Sequence, residues 1–403
     1  MVLIASAILM VIMGTRQSQG LFISPLNTST GIGIVGISLA MAIGHFIWGA
    51  VQPVAGAIAD RYGPGRVLAA GVLAFALGTA LTPLAQTPSG LILTLGVLAA
   101  IGAGAASFSV LIGAVGRYVP AEKRGFAFGV INAGSSFGQF LFAPLSQFLI
   151  SATGWMTALW TLSVVTLALL PLTRMLRARK SPASADLAAA ESGINQVAPT
   201  DRSLRSTLAE ALTNPSYLFL HAGFFTCGFH ITFLVTHLPG EVELCGQPPQ
   251  VASWSLSIIG AANVAGSLIA GWGTQKYRSK YLLFWMYASR AALILAYLAA
   301  PKTALTFFIF AGGLGFTWLA TVPPTAAIVG KLFGGRHLGT LFGLTLLSHQ
   351  VGGFLGAWLG GITIVELGNY TSMWYLDAGL AVLAALFNLP IREARIKTGL
   401  NPV

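Results

Sequence analysis

The chain has 403 residues, 55% of them hydrophobic and only 8% charged, with a mean hydropathy of +0.78. Soluble domains carry about 25% charged residues, so this composition excludes a soluble enzyme and a nucleic-acid-binding domain, in spite of a net charge of +11. The apolar runs are about 20 residues long, the span of a helix across a bilayer, and lack the ten-residue alternation of a membrane barrel.

Twelve transmembrane helices are predicted. Helix 1 covers about residues 2–26, helix 2 31–58, helix 3 67–84, helix 4 91–118, helix 5 125–151 and helix 6 155–172. No basic segment precedes helix 1, and its apolar run outlasts a secretory signal, so it reads as a retained helix. Residues 174–213 are rich in Ala, Ser and charge and read as a flexible cytoplasmic linker, with a short surface helix near 204–212. Helices 7 to 12 follow at about 215–238, 251–274, 281–299, 303–329, 338–365 and 372–389. The segment GEVELCGQPPQ after helix 7 reads as an acidic external loop. The expected fold is an all-α membrane protein of two pseudo-symmetric six-helix bundles, residues 1–173 and 214–403, with residues 174–213 as the linker.

The Lys and Arg residues fall almost entirely in loops and termini of one side; the exceptions are Lys302 and the mid-helix Arg16 and Arg290. By the positive-inside rule that side is cytoplasmic. Both termini then lie inside, in a plasma membrane of the bacterial inner-membrane type. Cys227 and Cys245 form no disulfide framework or metal pattern, and no cofactor is expected.

The sequence repeats itself. Residues 117–140, RYVPAEKRGFAFGVINAGSSFGQF, return 214 residues later at 331–354 as KLFGGRHLGTLFGLTLLSHQVGGF. Gly125 then meets Gly339, Gly129 meets Gly343, and Gly138 meets Gly352. The same offset pairs Gly14 with Gly228 and Pro25 with Pro239, and so pairs Arg16 with His230. Membrane halves related in this way place a site at their interface, near the bilayer midplane. Glycines four apart on helices 5 and 11 (Gly134, Gly138; Gly352, Gly356, Gly360) signal close helix crossing and name no substrate.

Several side chains stand out against this apolar background. A charge in mid-membrane costs about 2.5 to more than 10 kcal/mol, so Arg16 needs a reason. Within the polar run Arg16-Gln17-Ser18-Gln19 it reads as an anion-binding cation, the alternative being an arginine bonded to helix carbonyls. Arg290 reads either as a second anion contact or as a link between helices. His230 and His349 are titratable near neutral pH and suit proton coupling, the alternative being neutral, hydrogen-bonded imidazoles. His45 and His221 carry that reading more weakly, and His237 and His337 read as loop or interface residues. Asp377 reads as structural, which leaves no carboxylate relay. Asn263, Trp318 and Phe108 are candidate cavity walls. Asp60, Arg61 and Arg66 after helix 2, with Arg117, Lys123 and Arg124 between helices 4 and 5, form a candidate gate. No GxSxG, phosphate loop, HExxH or paired carboxylates occur, so no enzyme reading arises.

These residues also carry a resemblance. GAIADRYGPGRVL resembles the loop 2–3 motif of the major facilitator superfamily, and the likeness extends over the whole chain as two six-helix halves. Residues 118–138, YVPAEKRGFAFGVINAGSSFG, resemble the helix 4–5 signature of the monocarboxylate transporter family. Phe316-Thr317-Trp318 resembles a segment of the more distant oxalate:formate antiporter. The resemblance implies an alternating-access carrier, monomeric, moving a small organic anion with protons. It also marks departures. The Asp and Arg of helix 8 in such carriers fall here at Asn263 and Ser267, the antiporter's helix-11 Lys falls near Thr345, and Leu98 stands where the superfamily carries an Arg. With those groups absent, Arg16 is expected to hold the anion, with His230 facing it across the cavity. Export of an amphipathic neutral or cationic compound, or anion exchange, is the alternative.

Overall fold

In a computed structural model, residues 1–116, 119, 121–176, 204–333 and 338–393 are described, and among them every regular element is helical. Ten passages are long and apolar enough to cross a bilayer: Val2–Thr30, Ile34–Ala59, Pro64–Leu84, Pro88–Leu111, Trp155–Met175, Pro215–Leu244, Pro249–Lys276, Ser279–Ala299, Ala304–Phe333 and Thr340–Leu367. Ala121–Thr153 and Thr371–Asn388 supply helices 5 and 12. Leu204–Thr213 is the short helix expected before helix 7.

Two boundaries differ from expectation. Helix 2 runs on to Tyr62, so Asp60 and Arg61 lie in its last turn rather than in a loop. A single residue then turns the chain: Gly63, at φ 91°, ends helix 2, and Pro64 occupies the first turn of helix 3. Glycine tolerates that φ, and proline at a helix start forgoes only a donor with no intrahelical partner. Helix 7 continues through Pro239 to Leu244, so the start of the expected acidic loop, with both its glutamates, is helical. Glu241 is buried there and accepts a hydrogen bond from Tyr297 Oη at 2.6 Å. A proline inside a membrane helix is tolerated where neighbours satisfy the freed backbone groups.

The matched glycines are the contacts that hold each half together. Helix 1 crosses helix 5 where a Cβ on Gly138 would overlap the carbonyl oxygen of Met10, and one on Gly14 would lie 2.7 Å from that of Gly138. Helix 7 crosses helix 11 in the same way: a Cβ on Gly228 would overlap the carbonyl oxygen of His349, and one on Gly352 that of Phe225. Between the halves, helix 2 packs on helix 11 and helix 5 on helix 8. Gly361 lies against Ser38 and Gly353 against His45, while Ser257 Oγ donates to the carbonyl of Phe140 at 2.7 Å. Toward the basic side this contact ends. Gly56, Gly129, Gly271 and Gly343, near the basic ends of helices 2, 5, 8 and 11, have no atom within 4 Å of where a Cβ would stand. Among the described residues, the halves therefore meet through the middle and the far side and part toward the basic side.

Several passages predicted as continuous are broken, helix 6 among them at Ala168 and Leu169. Helix 1 leaves its α-helical course at Ser18 for a 3₁₀ turn, Gln19–Phe22, before Ile23–Thr30. Helix 4 passes through a π-helical stretch, Ile92–Ala99, and is interrupted at Ala106 and Ser107. Helix 10 is interrupted between Thr317 and Val322. Ala106 and Ser107 correspond at the repeat offset to Ala320 and Thr321, so the breaks are pseudo-symmetric. Discontinuous helices at matching positions are where such carriers build sites, because the freed backbone groups line protein rather than lipid.

Candidate functional site: a cation at the junction of the halves

Arg16 is the last basic residue before the break in helix 1. Its Nη2 donates to His45 Nδ1 at 3.0 Å, and its guanidinium lies 4.2 Å from the centroid of the Trp48 ring. His45 and Trp48 sit three apart on helix 2 and therefore share a face. The far nitrogen of His45, Nε2, is 3.1 Å from Thr232 Oγ1 on helix 7. The His45 ring also stacks at 6.0 Å on His349 of helix 11, above the bare backbone of Gly353. Four helices, two from each half, thus meet at one imidazole. Beside it lies a cavity of about 20 Å³ lined by Arg16, Gln19, His45, Phe75 and Leu95, room for about one water. Arg16 is half-buried, and among the described residues no carboxylate pairs with it. A cation–π contact and a neutral imidazole hold the guanidinium without neutralising it, so the charge remains available to an anion.

The other candidates lie elsewhere. His230 does not face Arg16. It is fully buried within the C-terminal half, where Nδ1 bonds Asp377 Oδ2 of helix 12. Helix 7 turns that side inward, and Asp377, expected to be structural, is its partner. Arg290, fully buried, reaches into the break of helix 10, where Nη2 donates to the carbonyls of Thr317 at 2.7 Å and Trp318 at 3.5 Å. Its guanidinium lies 5.5 Å from the Tyr287 ring centroid. Arg290 Nε and Nη1, His230 Nε2 and Asp377 Oδ1 have no hydrogen-bond partner. Trp318, 1% exposed, meets the His230 ring edge-on at 6.2 Å, which makes it a core residue of this half rather than a cavity wall.

Asn263, also 1% exposed, ties the halves together. Its Nδ2 donates to Ser136 Oγ of helix 5 at 2.7 Å, and its Oδ1 accepts from the Leu319 amide in the helix 10 break at 3.0 Å. Phe108 is half-buried at the start of the second segment of helix 4. His221 Nδ1 lies 2.6 Å from Ser348 Oγ. His237, expected in a loop or interface, is buried inside helix 7, with Nε2 donating to the carbonyl of Ala357 at 2.7 Å. Of the expected gate, Arg61 and Arg66 are exposed at the basic side. Arg117 and the side chains of Asp60, Lys123 and Arg124 lie outside the described residues, as do His337 and residues 177–203 of the linker. Lys302, on the opposite side, rests 3.6 Å from the Tyr297 ring centroid; partial burial lowers the pKa of its ammonium, and the Glu241 carboxylate opposes that shift.

Sequence reasoning missed Trp48 and Thr232 and gave His45 little weight. The signal was the i, i+3 pair His45 and Trp48 on a helix otherwise nearly free of polar groups.

Two halves of six helices, meeting at broken helices and a half-buried cation, define a membrane carrier rather than an enzyme or a pore. The chain belongs to the Major Facilitator Superfamily, whose sequence profile matches residues 5–321 and 245–401. It is 26% identical over 383 residues to "Monocarboxylate transporter 13" of Rattus norvegicus, covering 93% of this chain and 85% of that one. It is 24% identical over 357 residues to "Uncharacterized MFS-type transporter YcxA" of Bacillus subtilis (strain 168), covering 86% and 83%. Among solved structures, the D-xylose-proton symporter superposes with a TM-score of 0.75 at 15% identity over 97% of each chain. The inward open form of the xylose transporter XylE from E. coli superposes with a TM-score of 0.73 at 16% identity, covering 96% and 94%; these likenesses show the fold.

Proposed function

We propose that this protein is a secondary active transporter that moves a small, monocarboxylate-like organic anion by alternating access, coupled to protons. The observation that carries the reading is Arg16: a half-buried guanidinium at the junction of the halves, bonded to a neutral imidazole and faced by no carboxylate among the described residues. Such a group repels cations and grips a carboxylate through two parallel hydrogen bonds. The likeness to proteins named as monocarboxylate transporters supports the substrate class. Residues 1–173 and 214–403 act as the two rocking bodies, and the basic side, toward which they part, is the cytoplasm. In this reading Asn263, His349 and Phe108 border the substrate path, and Arg290 and His230 support it from within the C-terminal body.

The test is uptake of radiolabelled carboxylates of increasing size into proteoliposomes, for wild type, Arg16→Lys and Arg16→Ala. The ammonium of Lys keeps the charge but loses the planar fork, so Arg16→Lys should weaken carboxylate binding by about tenfold or more, and Arg16→Ala should abolish it. Wild-type affinity in both variants would remove the anion site from Arg16. Transport of an amphipathic cation by the wild type, with no carboxylate transported, would favour the efflux reading.

A further inference from the structure

The hydrogen bonds around His45 fix its protonation state, and with it a route for coupling. Arginine has five N–H donors and no acceptor. The 3.0 Å contact between Arg16 Nη2 and His45 Nδ1 therefore makes Nδ1 the acceptor, so it carries no proton. A neutral imidazole then bears its proton on Nε2, which donates to Thr232 Oγ1 at 3.1 Å. An imidazolium has two donors and no acceptor, and so cannot keep the bond to Arg16. In the arrangement observed, a proton on His45 Nδ1 and the Arg16–His45 bond exclude each other.

We propose that His45 is the proton acceptor that couples transport to the proton gradient, and that a carboxylate and a proton enter this site as a pair. The inference rests on the anion reading of Arg16 given above. Without substrate, Arg16 donates to neutral His45. A carboxylate bound at Arg16 presents a second oxygen toward Nδ1. A proton then forms an N–H bond on the Nδ1 lone pair released by Arg16, and both cations donate to one carboxylate. The proton comes from the aqueous phase and returns to it on the other side, and no other bond is made or broken. One negative and one positive charge enter together, so the net charge of the site is the same loaded and empty. That matters in mid-membrane, where an uncompensated change of charge is costly.

The surroundings leave few other groups to take that proton. From helix 1 His45 faces Arg16; from helix 11, His349; and from helix 7, the uncharged Thr232. Helices 3 and 4 offer the apolar Phe75, Leu95, Ala99 and Ala100 around the same cavity. His349 stacks on His45 at 6.0 Å, too near for both imidazoles to be charged beside Arg16 at little cost, so the pair takes one proton rather than two. Because His45 belongs to helix 2 while Thr232 and His349 belong to helices 7 and 11, its protonation also acts on the contact that separates when the halves rock.

The glutamine variant isolates the proton. In His45→Gln the amide oxygen accepts from Arg16 and the amide N–H₂ donates to Thr232, which reproduces the neutral tautomer without a titratable group. With radiolabelled pyruvate as the probe and a pH-sensitive dye inside proteoliposomes, wild type should take up protons with pyruvate and accumulate it down a proton gradient. His45→Gln loses one donor to the carboxylate and should bind pyruvate more weakly, and whatever exchange Arg16 still supports should show neither proton uptake nor gradient-driven accumulation. Accumulation and proton influx unchanged in His45→Gln would overturn the proposal.

A second measurement needs no substrate. ¹⁵N spectra of the imidazoles, with His45 assigned by its loss in His45→Gln, should show a neutral ring protonated on Nε2 at pH 7. In Arg16→Met, which removes the donor that faces Nδ1, the Nε2 tautomer should no longer be enforced and the Nδ1-protonated form should appear beside it. A ring protonated on Nδ1 in the substrate-free wild type would overturn the proposal. The expected tautomer and its loss in Arg16→Met, in a protein that binds no carboxylate at all, would sink the anion reading while supporting His45 as the proton site.

Discussion

Arg16 and Arg290 are the same residue in comparable places, each midway along a membrane passage, yet the structure uses them differently. Arg290 is fully buried and closes the end of a broken helix by donating to the carbonyls of Thr317 and Trp318. Asp377 is buried in the same half, with its carboxylate bonded to His230. Arg16 is half-buried at the junction of the halves, where its guanidinium bonds the neutral His45 and lies over the face of Trp48. One charge is internal to a half; the other lines a small cavity of the N-terminal half and is bonded to His45, which reaches across to the C-terminal half. A mid-membrane cation is therefore a sign of function only when its neighbours leave it uncompensated.

The sharpest way to break this contrast is to remove each guanidinium and follow the folded protein. Arg290→Ala leaves the carbonyls of Thr317 and Trp318 without the donor that closes the break in helix 10. Each buried acceptor left unsatisfied costs about 1–3 kcal/mol, so Arg290→Ala should largely lose the monodisperse peak in detergent size-exclusion chromatography. Arg16→Ala removes a group whose partners are neutral and should keep that peak, with binding lost instead. Equal losses of folded protein would show that both arginines are structural.

A smaller effect separates two neighbouring glycines of helix 11 from each other. In Gly353→Ala the new methyl group overlaps the His45 ring and Thr232 Oγ1. The crossing of helices 2 and 11 must then open where His45 meets Thr232. Transport should fall by about tenfold or more while the fold persists, since the strain can be relieved by moving side chains rather than backbone. Gly352→Ala meets the carbonyl of Phe225, a backbone atom within the C-terminal half, and should reduce thermal stability instead. If the two variants fail in the same way, the distinction between contacts within a half and contacts between halves is wrong.

Much of this was legible in the sequence, for reasons the contacts make plain. The repeat offset was set by Gly14 with Gly228 and Gly138 with Gly352, and these are the residues at which backbones touch in each half. Apolar runs bounded by charge gave all twelve passages, since length and hydropathy are local properties. The breaks in helices 4 and 10 were not legible: Ala106-Ser107 and Thr317–Thr321 contain neither Gly nor Pro, and the second break is held by Arg290 from another helix. The partner of Arg16 was misplaced for a related reason. The offset pairs Arg16 with His230 as repeat equivalents, but equivalence in a repeat does not fix where side chains point. Helix 7 turns His230 toward Asp377, while His45, at no matching position, reaches Arg16.

The smallest effect belongs to the glycines that touch nothing. Gly129 and Gly343 are repeat partners near the basic ends of helices 5 and 11, and neither has an atom within 4 Å of the missing Cβ. A glycine inside a helix costs about 1 kcal/mol relative to alanine. In the state observed, Gly129→Ala and Gly343→Ala therefore relieve that cost and create no clash. Each should leave the melting temperature unchanged or raise it slightly, in contrast to Gly138→Ala, whose new methyl overlaps the Met10 carbonyl. Transport carries the sharper information. If the halves close on the basic side during the cycle, these two bare positions become helix crossings, and the double alanine variant should slow turnover while leaving substrate affinity in the observed state near that of wild type. Unchanged turnover in the double variant would mean that helices 5 and 11 do not approach other backbones at those positions at any stage of transport.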